Sequence, residues 1–447
     1  MSALTFSIET LGCKLNQYES ESIAEAFINA GFNLQNEGKT DIAIINSCAV
    51  TGKSEQKGRR AIRARLGNSR LTIAVGCGAT VSKAELQALG DNLIVITNEY
   101  KNVLLQLPQQ LVTDDDIMEA AKNFIDNFKS HQEGNAFAFT LDKATLHTRA
   151  TLKIQDGCSR SCSYCLTRLA RGASQSLPAD EVIARLQQLA AGGAYEVVLT
   201  GVNLSLYHDD KVGNLWDLLD KIFAETDGFR IRLSSLEPQF ILNAPAQILT
   251  NPRLCPHFHL SIQSGSDEVL KSMQRPYNSR QIIEAVFYLR RFNSHCFIAC
   301  DIIVAYPTET KADFAATLKL LKTINVAYIH AFPFSPRLNT EAFKLKPLPP
   351  GTAHQRMEVL KRLTTRYLHL YYKESEGLTV AAIIEDDSHD GLRRCRSEYY
   401  HDLWVKNIPS NLPAGSLIKA EIIMGDRGAF IAALPQLPTN SGDVSSS

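Results

Sequence analysis

Three cysteines spaced C-x3-C-x2-C lie within Ile154-Gln155-Asp156-Gly157-Cys158-Ser159-Arg160-Ser161-Cys162-Ser163-Tyr164-Cys165. Thiolates so placed in one loop can wrap three corners of a cubane. A [4Fe–4S] cluster normally takes four cysteines, so Cys158, Cys162 and Cys165 leave one iron open to a substrate or cofactor. A structural zinc site asks for four ligands, commonly in C-x2-C pairs, and no such pair partners this triplet. Three more cysteines are dispersed, each among small or polar turn-forming residues: Leu11-Gly12-Cys13-Lys14, Asn46-Ser47-Cys48-Ala49 and Gly76-Cys77-Gly78. Each follows closely on a run that reads as a strand. In a doubly wound sheet the carboxyl ends of parallel strands share one edge and ligands bind outside it. Cys13, Cys48 and Cys77 are therefore expected to converge on a second open cluster. A free cysteine is otherwise a small buried hydrophobe, which is the expectation for Cys255, Cys296, Cys300 and Cys395.

The elements that must carry these thiols follow from the apolar pattern. Thr5–Ile8, Ile42–Asn46, Leu71–Val75 and Leu93–Ile96 read as strands, with helical Glu19–Ala30, Ser54–Leu66 and Ser82–Leu89 between them. This alternation predicts a parallel sheet and a Rossmann- or flavodoxin-like α/β domain over 1–110. Polar residues 111–147 read as a helical linker. A second alternation gives strands Thr151–Gln155, Glu196–Thr200, Arg230–Ser234, His257–Gln263, Ile298–Val304 and Ala327–Phe332, separated by helices such as Ala179–Ala191 and Ser279–Phe292. Six βα units fall short of an eight-unit barrel, so a partial (β/α)6 barrel is expected over 148–375, with Arg356–Lys373 as its exit helix. Short alternating runs broken by Gly and Pro then predict a small antiparallel β-barrel over 376–434, and residues 435–447 read as a disordered tail.

At 447 residues with 45% hydrophobic content, the chain has room for two to four domains. Its 47 basic residues match its 47 acidic ones, which excludes a histone-like or an acidic disordered protein and confines nucleic-acid contacts to local patches. The opening MSALTFSIETLGCK has no leader pattern, and no run approaches the roughly 20 apolar residues that span a bilayer. The expectation is a cytoplasmic protein without a membrane partner, in a reducing compartment where clustered thiols serve metals or catalysis.

With these motifs the chain resembles the methylthiotransferase family within the radical S-adenosylmethionine enzymes, over nearly its whole length. The resemblance rests on both cysteine sets and on Leu199-Thr200-Gly201-Val202-Asn203, Arg232-Leu233-Ser234-Ser235-Leu236-Glu237-Pro238, His259-Leu260-Ser261-Ile262-Gln263-Ser264-Gly265-Ser266 and Phe332-Pro333-Phe334-Ser335-Pro336-Arg337. The terminal β-barrel looks like a TRAM domain, an RNA-binding module. The opening Thr10-Leu11-Gly12-Cys13-Lys14-Leu15-Asn16-Gln17-Tyr18-Glu19 is closest to the branch acting on N6-threonylcarbamoyladenosine beside the tRNA anticodon. Arg168 stands where the family commonly has proline, and Thr308 where it has glycine.

The resemblance implies that the Cys158, Cys162 and Cys165 cluster binds S-adenosylmethionine and yields a 5′-deoxyadenosyl radical. It also implies that the Cys13, Cys48 and Cys77 cluster holds the sulfur that replaces a C–H bond at C2 of the adenine. An electron donor and a sulfur source are required partners. On barrel geometry, Thr200, Asn203, Ser235, Glu237, Gln263 and Ser264 at strand ends are candidates to line the cofactor pocket, or else to cap turns. For tRNA, Lys53, Lys57 and Arg60 share one helical face beside Cys48. Arg393, Arg394 and Arg396 offer a second patch, with Tyr399, Tyr400 or Trp404 to stack on bases or to pack inside the small barrel. Two alternatives stay open: methylthiolation of isopentenyladenosine or of a ribosomal-protein aspartate, and a non-catalytic iron–sulfur RNA-binding protein.

Overall fold

The computed structural model describes residues 3–111, 116–141, 148–389, 391–409, 411–425 and 428–433. The tail expected at 435–447 and parts of the expected linker lie outside them. Strands β1 (Thr5–Thr10), β2 (Asn33–Leu34), β3 (Thr40–Ser47), β4 (Ser69–Gly76) and β5 (Leu93–Val95) form one parallel sheet in the order β2-β1-β3-β4-β5. This is the flavodoxin-like order, which places the topological switch point between β1 and β3. Helices α1 (Lys14–Asn29), α2 (Gly52–Leu66) and the short α3 (Cys77–Val81) follow β1, β3 and β4.

Helix α1 begins five residues before its predicted start. It buries polar Asn16, Glu19, Ser20 and Ser22 as well as Leu15 and Ile23, so no apolar stripe marks its first turns. Helix α4 (Ile117–His131) falls within the expected helical linker but packs into a core. It is capped by Asp116, and its Ile117, Ala121, Ile125 and Phe128 recur at helical spacing and join the amino-terminal core.

Seven strand segments build the parallel ladders of the central unit: β6 (Ala150–Lys153), β7 (Glu196–Thr200), β8 (Arg230–Leu233), β9 (Ser235–Leu236), β10 (His257–Gln263), β11 (Phe297–Val304) and β12 (Tyr328–Pro333). Two parallel ladders, β6-β7-β8 and β9-β10-β11-β12, follow sequence order, and only Ser234 separates β8 from β9. This gives six parallel positions. Helices α5 (Thr167–Arg171), α6 (Ala179–Ala191), α7 (Leu215–Glu225), α8 (Ser279–Phe292) and α9 (Lys311–Thr323) lie in the crossovers, and α10 (Thr352–Glu374) leaves β12. Among the described residues no ladder joins β6 to β12. Helix α1 of the first unit lies against β6 instead, through Lys153 Nζ to Glu19 Oε1 at 2.8 Å.

Strands β13 (Thr379–His389), β14 (Leu392–Ser397), β15 (Asp402–Lys406), β16 (Leu417–Gly425) and β17 (Gly428–Ala433) close a barrel in the order β13-β14-β15-β17-β16. Its ladders are antiparallel except the parallel one between β15 and β17. The sequence hides β14, because Leu392-Arg393-Arg394-Cys395-Arg396-Ser397 lacks apolar alternation. The barrel docks beneath β7 and β8: Arg230 Nη1 donates to Ala381 O at 2.8 Å, and Arg232 Nη2 to Ser397 O at 2.9 Å. Among the described residues no helix is long and apolar enough to cross a membrane.

Candidate active site

The switch point predicts where the amino-terminal thiols meet. Cys13 follows β1 as the residue capping α1, Cys48 follows β3, and Cys77 opens α3 after β4. A helix amino terminus presents unpaired N–H groups that can face a sulfur-bound ligand. The turns need glycine. Gly76 has φ +94°, and a Cβ there would stand 2.4 Å from Ser47 O. Gly157, before Cys158, has φ +66°, and a Cβ would stand 1.9 Å from Ala173 O.

Members of both thiol sets open onto one cavity, which Cys48, Cys158 and Cys162 do not line. About 370 Å³ in volume, it is lined by Cys13 and Cys77 from the first unit and Cys165 from the second. Tyr164, Leu166, Phe332 and Phe334 give it an apolar wall, while Ser235, Ser261, Gln263 and Asp301 make its polar floor. Beneath runs a hydrogen-bonded chain, Ser235 Oγ to His259 Nδ1 at 2.8 Å and His259 Nε2 to Asp301 Oδ1 at 3.0 Å.

The donor set suits iron–sulfur ligation. N–H groups donate to the sulfurs from Val50 N to Cys48 at 3.4 Å, Arg171 Nε to Cys77 at 3.3 Å, Asn98 Nδ2 to Cys77 at 3.5 Å, Arg275 Nη1 to Cys162 at 2.9 Å and Thr167 N to Cys165 at 3.4 Å. Such bonds stabilise negative sulfur and tune a cluster. Among the described residues no three His, Cys, Asp or Glu side chains gather closely enough for a single metal ion. A cubane gives each thiolate its own iron, so its ligands need not converge on one point. Burial pushes the Cys48 thiol up to about 11, and also raises Cys13, Cys158 and Cys162, with Arg171 opposing at Cys13 and Arg275 at Cys162. Loading metal therefore releases protons.

Of the six strand-end candidates, Ser235 and Gln263 line the cavity. Thr200 is buried at the end of β7. Asn203 caps a turn through Ser205 N at 3.2 Å, and Ser264 Oγ accepts from Ser266 N at 3.2 Å. Glu237 is 1% exposed and clamps two arginines, Arg160 at 2.6 Å and Arg275 at 3.2 Å, the latter being the donor to Cys162. The sequence reading missed Arg275, Arg171 and the His259–Asp301 pair. A lone arginine carries no local signal of the sulfur it will meet.

Lys53, Lys57 and Arg60 are exposed on α2. The start of that helix is tied to the cavity's rim by Gly52 N to Ser335 Oγ at 2.9 Å and Glu55 to Arg337 at 2.7 Å. The second basic patch is engaged. Arg394 pairs with Asp402 and Asp387 at 2.7 Å each, Arg396 is buried and pairs with Asp402 at 3.2 Å, and Arg393 donates to Leu412 O. Tyr400 packs across to His257 and Phe297 of the central unit and against the Arg396 guanidinium, neither inside the small barrel nor free to stack. Cys255, Cys296, Cys300 and Cys395 are all buried.

Residues 152–321 match the family model described as the Radical SAM superfamily, and residues 5–97 that of the uncharacterized protein family UPF0004. The threonylcarbamoyladenosine tRNA methylthiotransferase MtaB of Treponema pallidum is 36% identical, covering 85% of this chain and 90% of its own. That of Thermotoga maritima is 35% identical over 89% and 90%. The tRNA-2-methylthio-N(6)-dimethylallyladenosine synthase of Roseobacter denitrificans is 28% identical over 95% and 97%. Among solved structures, the radical S-adenosylmethionine methyltransferase TsrM from Kitasatospora setae shares the fold, with TM-score 0.50 at 12% identity over 74% of this chain and 72% of that one.

Proposed function

The chain belongs to the radical S-adenosylmethionine methylthiotransferases, and from that premise we propose that it inserts a methylthio group at C2 of N6-threonylcarbamoyladenosine next to the tRNA anticodon. Cys158, Cys162 and Cys165 would hold one [4Fe–4S] cluster with S-adenosylmethionine, and Cys13, Cys48 and Cys77 a second. The observation that carries this reading is the single cavity reached by Cys13, Cys77 and Cys165. No side-chain acid or base removes a C2 hydrogen as a proton near neutral pH; the bound cofactors supply the radical and the sulfur instead.

The chain's own residues bind, orient and exclude water. Tyr164, Leu166, Phe332 and Phe334 keep the cavity apolar, and Phe332, 39% exposed at its rim, offers a face on which an extruded base can stack. Ser235 and Gln263 supply hydrogen bonds at its floor, with Ser235 oriented by His259. Lys53, Lys57 and Arg60 present positive charge to the anticodon stem beside the cavity's rim. A reductant and a sulfur donor complete the reaction, in the cytoplasm where tRNA is modified.

The test is anaerobic reconstitution. Two cubanes require about eight iron and eight sulfide per chain. Cys158→Ala abolishes 5′-deoxyadenosine formation. Joint replacement of Cys13, Cys48 and Cys77 by alanine preserves that product and abolishes methylthiolation. Nucleoside analysis of tRNA from a deletion strain should lose the methylthio form of threonylcarbamoyladenosine; loss of methylthio-dimethylallyladenosine instead overturns the substrate assignment.

A further inference from the structure

A network of buried charge lies between the two thiol sets. Glu19 of α1 receives Lys101 Nζ at 2.6 Å, Lys153 Nζ at 2.8 Å and Arg171 Nη1 at 3.0 Å. Asp156, two residues before Cys158, receives Lys153 Nζ and Arg171 Nη1, each at 2.9 Å. Arg171 Nη2 donates to Asn16 Oδ1 at 2.7 Å, and Nε to Cys77 Sγ at 3.3 Å. All five charged side chains are at most 7% exposed.

Three cations face two carboxylates, which leaves one positive charge in a site where an unmatched ion costs several kcal/mol. The lysines alone would balance the acids. Arg171 is the surplus cation, and its remaining donor points at the Cys77 sulfur. Asp156 and Arg171 also bracket the Cys158–Cys165 loop on both sides, and both are held, through Arg171 and Lys153, to Glu19 six residues after Cys13.

We infer that Arg171, a residue of the barrel, is a positioning residue for the opposite site: it clamps the Cys158–Cys165 loop to α1 and sets the potential of the cluster on Cys13, Cys48 and Cys77 by donating to Cys77. A thiolate-bound cubane carries net negative charge that grows on reduction, so an N–H donor and a fixed cation favour the reduced form and raise its potential. The inference rests on the reading of those three cysteines as cluster ligands.

The experiment separates the two. Full-length protein with Cys158, Cys162 and Cys165 replaced by alanine is reconstituted and titrated by EPR-monitored potentiometry, with and without Arg171→Met. The expected result is a cluster in both, with the midpoint shifted negative in Arg171→Met and by less in Arg171→Lys, which keeps the charge. In the reciprocal background, with Cys13, Cys48 and Cys77 replaced, Arg171→Met leaves the midpoint in place. In the protein with all six cysteines, 5′-deoxyadenosine formed per methylthio product rises. An unmoved amino-terminal midpoint, or equal shifts in both backgrounds, overturns the inference. Absence of any cluster in the first background overturns the two-cluster reading itself, and the inference with it.

Discussion

Two buried ion networks hold the central unit to its neighbours, and they differ in how they close. Beneath the strands, Glu196 gathers Arg232 at 2.7 Å, Arg230 at 2.8 Å and Arg149 at 3.6 Å, while Glu385 and Glu398 stand within 3.5 Å and 3.9 Å of Arg149 and Arg230. Glu385 also meets Arg394 and Arg396, whose partners are Asp387 and Asp402, so five arginines meet five carboxylates, and donors of Arg230 and Arg232 end on carbonyl oxygens of Ala381, Ser397 and Glu398. Above the strands, three cations meet two carboxylates and the spare donor ends on a sulfur. The lower network closes on backbone and joins domains. The upper leaves charge aimed at a ligand site.

Breaking the lower network should have the largest effect on folding. Burial works against the Glu196 charge, yet Arg232, Arg230 and Arg149 hold its carboxyl far below the usual range. Glu196→Ala strands those arginines and is expected to cost about 3–5 kcal/mol in chemical denaturation. Arg171→Met, which restores balance above, should cost the metal-free protein less, about 1–2 kcal/mol of lost hydrogen bonding. Equal losses for the two would erase the distinction.

Acid sharpens the contrast from another side. His401 of the carboxyl-terminal barrel is fully buried, with Ser397 Oγ on Nδ1 and Ser375 Oγ on Nε2, both at 2.9 Å. Burial, aided by Arg396 and His295, lowers it to about 3. The unfolded imidazole titrates near about 6.5, so the unfolded state takes the proton first. Stability is full above that value and falls as pH drops towards 3, by about 1.4 kcal/mol at about pH 5.5. Thermal melts of His401→Gln should be flatter over this window than those of the wild type.

The smallest effect belongs to the exposed face of α2. Lys57→Gln should leave stability within about 0.5 kcal/mol. It should weaken tRNA binding a few-fold and lower the salt slope by about one. The same change at Arg394, whose partners are Asp387 and Asp402, should move stability more than binding.

Where the apolar pattern is plain, the elements were legible: Glu196–Thr200, with its run Val197-Val198-Leu199, and His257–Gln263, with alternating Phe258, Leu260 and Ile262, are strands with the predicted bounds. Legibility failed where burial is polar. The first turns of α1 bury Asn16, which accepts a hydrogen bond from Arg171, and Glu19, which pairs with Lys153 and Arg171 of the central unit, and β14 carries arginines matched by acids of neighbouring strands. The alternation of strands and helices also left Rossmann and flavodoxin orders equally open; the pairing of β3 directly with β1 decided between them.

What the sequence determined by itself was local: a loop with three thiols at cluster spacing, and strand ends that each deliver one further cysteine. Spacing within a loop is set by covalent geometry, so it reads directly from the chain. Only the tertiary structure decided that Cys13, Cys77 and Cys165 open on one cavity, that Arg275 meets Cys162, and that Arg171 reaches a sulfur 94 residues away. The Arg171 contact accompanies the packing of α1 against β6, where Glu19 is buried and meets Lys153 and Arg171. Which partner a buried charge meets depends on how whole units pack, and no local pattern encodes it.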